Sequence, residues 1–246
     1  MVAGETAIVV RVRGRKPVVI ERCESRVHRF VEADAYADYD YAGSLIHSGD
    51  VLTKEHRILI NNVMRARSSV VARARFLGRP LPELAAISLE LDLVDGPEAA
   101  VAGGVDALAA LCDRIASVKG LTDTAASKML FLLRPRFVPI SDSYVRQILG
   151  VPDYPEGGVR IASLAAALRE LARDNARELG ELDRYVRELK TVVPIAGRFK
   201  AQRIPLVVSK ARILDILLWT EQAIFGATPN PWWKPWWDAR PRANGI

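Results

Sequence analysis

The chain has 246 residues, half of them apolar, and a formal net charge of +6. That is enough apolar material for one large core or two small ones, and no apolar run reaches the roughly 18 residues of a membrane span. Cys23 and Cys112 are too few for a disulfide framework, a cysteine zinc site or a four-cysteine iron–sulfur centre. In the opening MVAGETAIVVRVRGRKP the charges follow the apolar stretch, which is not a signal-peptide layout. A cytoplasmic protein without metal or cofactor is the expectation. Charge is placed unevenly. Residues 187–246 hold ten Lys/Arg against four Asp/Glu, which equals the whole excess. Residues 112–150 hold six basic residues against Asp113, Asp123 and Asp142. Two basic regions suit a polyanion partner, with an ordinary solvated basic surface as the alternative.

Residues 7–12 and 17–21 run β-branched around Gly14-Arg15-Lys16-Pro17, as a short hairpin or an arm on the helical body. A helical pattern starts at Ser25, with Val27, Phe30 and Val31, and a patch rich in Tyr and Asp follows (Tyr36, Tyr39, Tyr41; Asp34, Asp38, Asp40). Thr53 is a suitable N-cap for a helix to about Arg67, and a second helix runs to about Leu77 before Gly78 and Pro80. Leu89–Val94 alternates like a strand but also suits an irregular turn between helices. Ala99–Val118 is helical, with Val105, Leu108, Leu111, Cys112 and Ile115 on one face. Ile161–Leu189 reads as two helices or one bent helix, and Ser209 caps a helix carrying Ile213, Leu214, Ile216, Leu217 and Trp219. The fold class is mainly α, with a possible small β element at the N-terminus. The organisation expected is an arm or hairpin over 1–24, a helical body over 25–225 and a Pro/Trp-rich tail over 226–246.

The stretch Val118–Gly150 carries the most information. Lys119-Gly120-Leu121-Thr122 joins two helices, 107–118 and 123–134, so tightly that they must form an antiparallel hairpin. Gly120 supplies the positive φ that ends the first helix. Leu121 plugs the gap between the helices, and Thr122 or Asp123 caps the second. The free N–H groups of that turn suit a phosphate, and Lys119, Lys128, Arg134 and Arg136 add cations. An ordinary αα-hairpin with a glycine stop is the plainer reading. Pro135 and Pro139 then break the helix, and Asp142 opens a third one. Asp142 is an N-cap, aided by an i,i+4 pairing with Arg146, or a carboxylate facing a cleft; one group can serve both ends.

These residues resemble the helix–hairpin–helix and catalytic-aspartate segment of the helix–hairpin–helix DNA glycosylases, the superfamily of endonuclease III. Gly120-Leu121-Thr122 stands for the Gly-x-Gly hairpin. Ala125-Ala126, Phe137-Val138-Pro139-Ile140 and Asp142-Ser143-Tyr144-Val145-Arg146 follow in order, and 22 positions separate Gly120 from Asp142. The likeness covers about 30 of the 246 residues. With Asn61–Ser69 upstream and Ser209–Trp219 downstream, the same stretch also resembles an uncharacterised bacterial protein family of unknown function. The glycosylase resemblance implies a two-lobed helical body that binds duplex DNA with the target base flipped out. It further implies that Lys119, Gly120, Thr122, Thr124, Lys128, Arg134, Arg136 and Arg146 lie at the DNA, and that Asp142 stabilises the sugar cation or orients water. There are three departures. Thr122 replaces the second hairpin glycine, Thr124 stands where lyase-active members carry lysine, and the four-cysteine cluster is missing. Without that lysine no Schiff base forms there, which points to a monofunctional glycosylase.

Four further features remain. Trp232, Trp233, Trp236 and Trp237 could stack on bases or form a base pocket, strap the core, or anchor at a membrane interface. Asn61 and Asn62, with Arg65 and Arg67, could enter a DNA groove or gap, or form the polar face of a half-buried helix. His28, His47 and His56 lack metal spacing and read as surface or packing residues. Asp38, Asp40 and Asp50 show no carboxylate spacing that singles out a metal site. Three functions follow: a monofunctional DNA glycosylase-like enzyme with Asp142 as its carboxylate, a non-catalytic DNA-binding protein on the same scaffold, or a helical protein-interaction module. Oligomeric state and target base are left open.

Overall fold

The structure is a computed structural model. It describes residues 6–31, 49–53, 56, 75–154, 157–193, 202–205, 208–227, 229 and 231. The helices expected to about Arg67 and to about Leu77 fall mostly outside those residues, as do the Tyr/Asp patch, Asn61, Asn62, His47 and the tryptophans of the tail; residues 75–77 are described and form a turn and a bridge from Leu77 to Leu52, not the helix expected there. The described elements, in order, are β1 (Ile8–Val10), β2 (Val18–Ile20) and α1 (Cys23–Val31), then α2 (Glu98–Ala116), α3 (Asp123–Phe131) and α4 (Ser143–Leu149). They continue with α5 (Gly158–Asp174), α6 (Ala176–Glu188), β3 (Lys190–Val193), β4 (Gln202–Pro205) and α7 (Lys210–Thr220). The mainly helical class is therefore observed, with a small N-terminal β element. Among the described residues no helix is long and apolar enough to cross a membrane.

α7 is the axis of the core. Ile213, Leu214, Ile216, Leu217 and Leu218 are all buried, and so are Arg212 and Asp215, so this helix is enclosed nearly all round. α1, α4, α5 and α6 pack on it, and α2 packs on α3 and α5. Ser209 caps α7 by accepting from the Arg212 amide at 3.2 Å. The N-terminal hairpin belongs to the same apolar cluster. Ile8 pairs with Ile20 in the antiparallel register and both are fully buried. Gly14, at φ 78°, makes the turn.

Ile161–Leu189 is two helices, and a tertiary contact explains the break. Buried Asn175 accepts from Val9 N–H at 2.9 Å and donates to Val9 O at 3.0 Å and Leu171 O at 2.9 Å. β1 thus docks where the helix is interrupted. Leu89–Val94 is an irregular turn, since the Asp92 carboxylate accepts from Val94 N–H at 2.9 Å and from Asp95 N–H at 3.2 Å. The alternation there reflects Leu91 and Leu93 facing the core across that turn. Sequence reading assigns no element to 190–205, where β3 and β4 pair antiparallel. Thr191-Val192-Val193 was the available signal, but so short a run decides nothing before its partner is known. Cys112 is buried on the apolar face of α2, as expected of a core cysteine. Burial pushes the Cys23 thiol up to about 12, so it too is inert packing.

The loop that leads to Asp142 is held by packing. Phe137 is buried against α2 at Gly104, where an added Cβ would lie 2.6 Å from the ring Cζ. Gly104→Ala is therefore expected to destabilise the protein by about 1–2 kcal/mol, overpacking outweighing the gain in helix propensity. Urea denaturation of the two proteins measures it, and an unchanged or raised midpoint contradicts the packing argument.

Candidate nucleic-acid interface

The hairpin forms as its spacing requires. Gly120 has φ 89° and ends the connection from α2, while Leu121 is buried between the helices. Thr122, rather than Asp123, caps α3, its hydroxyl accepting from Ala125 N–H at 3.2 Å. Lys119, Gly120 and Thr122 are exposed, so the turn faces solvent.

Asp123 has a different role. Its carboxylate is 1% exposed and accepts from Arg160 Nη1 at 2.9 Å on both oxygens. It also accepts from Thr124 N–H at 2.8 Å, and the Ser141 hydroxyl donates to it at 3.5 Å. Ser141 N–H donates in turn to Ser127 Oγ at 2.9 Å. Arg146 Nη1 donates to Ser141 O at 2.9 Å and Ser141 Oγ at 3.0 Å, and its Nη2 donates to Asp153 at 3.0 Å. One buried polar network therefore joins the starts of α3, α4 and α5. Sequence reading missed Ser127, Ser141, Asp153 and Arg160. A faint signal existed: Arg160 is the only charge in GVRIASLAAAL, and Thr122-Asp123 supplies two cap acceptors where one suffices.

Asp142 sits directly above this network. It is the N-cap of α4, its Oδ1 accepting from Tyr144 N–H at 3.0 Å. The expected pairing with Arg146 is corrected: that guanidinium is turned inward onto Ser141 and outward to Asp153. The Asp142 carboxylate is half-buried and forms no ion pair among the described residues. Lys128, half-buried on α3 one turn beyond Thr124, stands within its electrostatic reach. Burial lowers the Lys128 pKa; Asp142 and Asp215 oppose that shift, and Arg212 adds to it. Thr124 Oγ1 lies 3.5 Å from Arg146 Nη1, between the hairpin helix and α4.

Two of the expected DNA contacts are internal. Arg134 is buried and spends its guanidinium on Ile87 O, Gly49 O, Leu133 O, Leu84 O and the Asp50 carboxylate. It fastens the chain before Pro135 and has no face left for a phosphate. The same bonds commit Asp50, which the sequence had grouped with Asp38 and Asp40. Arg146 is buried within the network described above. Arg136 is on the surface but shared between Glu90 at 3.0 Å and Asp92 at 3.5 Å, which cancels much of its charge. Among the histidines, His56 is buried and its Nδ1 accepts from Thr53 N–H at 3.0 Å. His28 is bonded to the Tyr185 hydroxyl at 3.0 Å.

Removing Asp123 strands a buried guanidinium. Asp123→Ala is expected to cost about 3–5 kcal/mol, and Asp123→Leu with Arg160→Met to recover most of it. Chemical denaturation of the three proteins tests this; a single-variant loss below about 1 kcal/mol removes the pair as a fastening. Lys128 makes a pH prediction. Below its lowered folded pKa both states carry the proton and the folded state bears the penalty. As pH rises towards the unfolded value of about 10.4, the folded state sheds the proton first and stability rises. The stability of the native protein relative to Lys128→Met should therefore increase between pH 7 and pH 10, read from urea midpoints; a decrease contradicts it.

Searches of curated proteins and of solved structures give no match. A family model does match, over residues 35–222, a span that contains the hairpin, Asp142 and α7. The chain belongs to that family, the family of unknown function DUF6308.

Proposed function

We propose that this protein binds duplex DNA through the Lys119–Thr122 turn and hydrolyses an N-glycosidic bond, with Asp142 as the catalytic carboxylate. One observation carries the reading: Asp142 is fixed by the Tyr144 amide, yet it is only half-buried and forms no ion pair among the described residues. An aspartate needed only to neutralise Arg146 would be paired with it, and it is not. The capping bond uses Oδ1, and Oδ2 keeps lone pairs that no hydrogen bond among the described residues takes up. The exposed Lys119 adds a cation at the glycine turn, next to the first turn of α3.

In the reaction proposed, the C1′–N bond breaks and its electron pair leaves with the base, which takes up a proton. The Asp142 carboxylate stabilises the positive charge left on the sugar. A water oxygen then bonds to C1′, and its proton passes to the carboxylate and on to solvent. No lysine occupies position 124, so the reading is hydrolysis without strand cleavage.

The test is release of free base from a panel of lesion-bearing duplexes by the native protein and by Asp142→Asn. Asparagine caps a helix as well as aspartate does, so the fold is expected to survive. The expected result is a loss of at least about 100-fold in single-turnover base release, with duplex binding retained. Release unchanged in the variant, or absent from the native protein on every lesion, overturns the catalytic part.

A further inference from the structure

The β1–β2 turn concentrates cations that nothing in the described structure neutralises. Arg11, Arg13, Arg15 and Lys16 fall within six residues, and Glu21 is the one carboxylate of residues 6–22. Strand alternation sets their direction: Ile8 and Val10 are buried and Val12 half-buried, while Arg11 and Arg13 on the other face are exposed, as are Arg15 and Lys16. Elsewhere the arginines are mostly committed to carboxylates, as in Arg26–Glu221, Arg114–Glu83, Arg160–Asp123 and Arg169–Glu98. Arg11, Arg13 and Lys16 have no ion-pair or hydrogen-bond partner among the described residues.

The turn is held in place at several points. Arg15 Nη1 donates to Gln147 O at 2.8 Å, a cation on the carbonyl end of α4. Val12 fills the space beside Gly150, where an added Cβ would lie 2.7 Å from its Cγ1. Below, Val9 is bonded to Asn175 on both sides, and Thr6 N–H donates to Glu24 at 2.9 Å. Asp142 heads α4 and the basic turn abuts its tail. Seven residues of helix at 1.5 Å each put them roughly 10 Å apart, about three nucleotide steps of 3.4 Å.

We infer that Arg11, Arg13 and Lys16 grip the phosphate backbone of the nucleic acid whose target site is Asp142, as a second contact beyond the Lys119–Thr122 turn. The inference rests on the DNA-binding reading above and adds a surface that reading does not contain. Fixed, unneutralised cations on an exposed turn suit a regularly spaced polyanion, since each phosphate contact releases a counterion without requiring an apolar pocket.

The test is fluorescence anisotropy of a labelled 20-base-pair duplex across a salt series. The proteins are the native chain, the triple variant Arg11→Gln/Arg13→Gln/Lys16→Gln, and Lys119→Gln. Circular dichroism checks that the variants fold. The triple variant is expected to bind about 10–100-fold more weakly near 0.1 M salt, with its log–log salt slope shallower by about 3; Lys119→Gln should lose about 1. Unlabelled poly-glutamate should not compete at equal charge. A native-like slope in the triple variant overturns this inference and leaves the Asp142 reading standing, as does competition by poly-glutamate, which points to an acidic protein instead. The expected slope change without base release from any lesion sinks the enzyme and leaves the grip. No binding by the native chain overturns both.

Discussion

The buried pair between Asp123 and Arg160 is the constraint on which the geometry of the candidate site depends. An ionised carboxylate and a guanidinium are costly to bury unless each satisfies the other and the remaining lone pairs find donors. Here Asp123 takes both contacts from Arg160, the Thr124 amide and the Ser141 hydroxyl. α3 starts at Asp123, α5 begins just before Arg160, and Ser141 precedes Asp142, so one local requirement fixes three helix starts at once. Arg146 completes the network from α4 and is thereby kept away from Asp142.

This arrangement gives Asp142 two properties that seldom coincide. It is positioned, through its own cap and through Ser141 next to it, and one of its oxygens takes no hydrogen bond among the described residues. Phe137 against Gly104 and the Arg134 bonds to 49–50 and 84–87 hold the incoming loop from the other side. A carboxylate meant for chemistry needs such support, because a displacement near 1 Å is enough to lose most of a geometric contribution.

Cations divide into two populations with different physical roles. Arg134, Arg146, Arg160 and Arg212 are internal and each is matched to a carboxylate; the first three link separate segments, while Arg212 pairs with Asp215 inside α7. Arg114 and Arg136 pair with carboxylates nearer the surface, whereas Lys119, Arg11, Arg13 and Lys16 are exposed with no ion pair among the described residues. Net charge does not distinguish the two groups, since a paired arginine counts the same as a bare one. The mean charge of residues 112–150 thus overstates what that segment offers a polyanion, and the N-terminal turn, unremarked in the charge count, offers more.

Local rules determined much of this protein. The glycine stop at Gly120, the aspartate cap at 142 and the serine cap at 209 follow from residue type and spacing, because each is decided within a few residues of chain, whereas the choice of Thr122 over Asp123 as cap and of a hairpin over an arm at the N-terminus was made by the fold. The sequence also placed Cys112 in the core and made the class mainly α. What needed the tertiary structure were the partners chosen across the chain. Arg146 could pair with Asp142 four residues away, yet it serves Ser141 and Asp153. Arg134 looked like a surface cation and instead binds carbonyls some fifty to eighty-five residues distant. The break at Asn175 exists because β1, far away in sequence, needs its amide. A guanidinium has five donors and a long reach, so its partner is set by which loops the core brings within range; a helix cap has one bond to make and finds it next door.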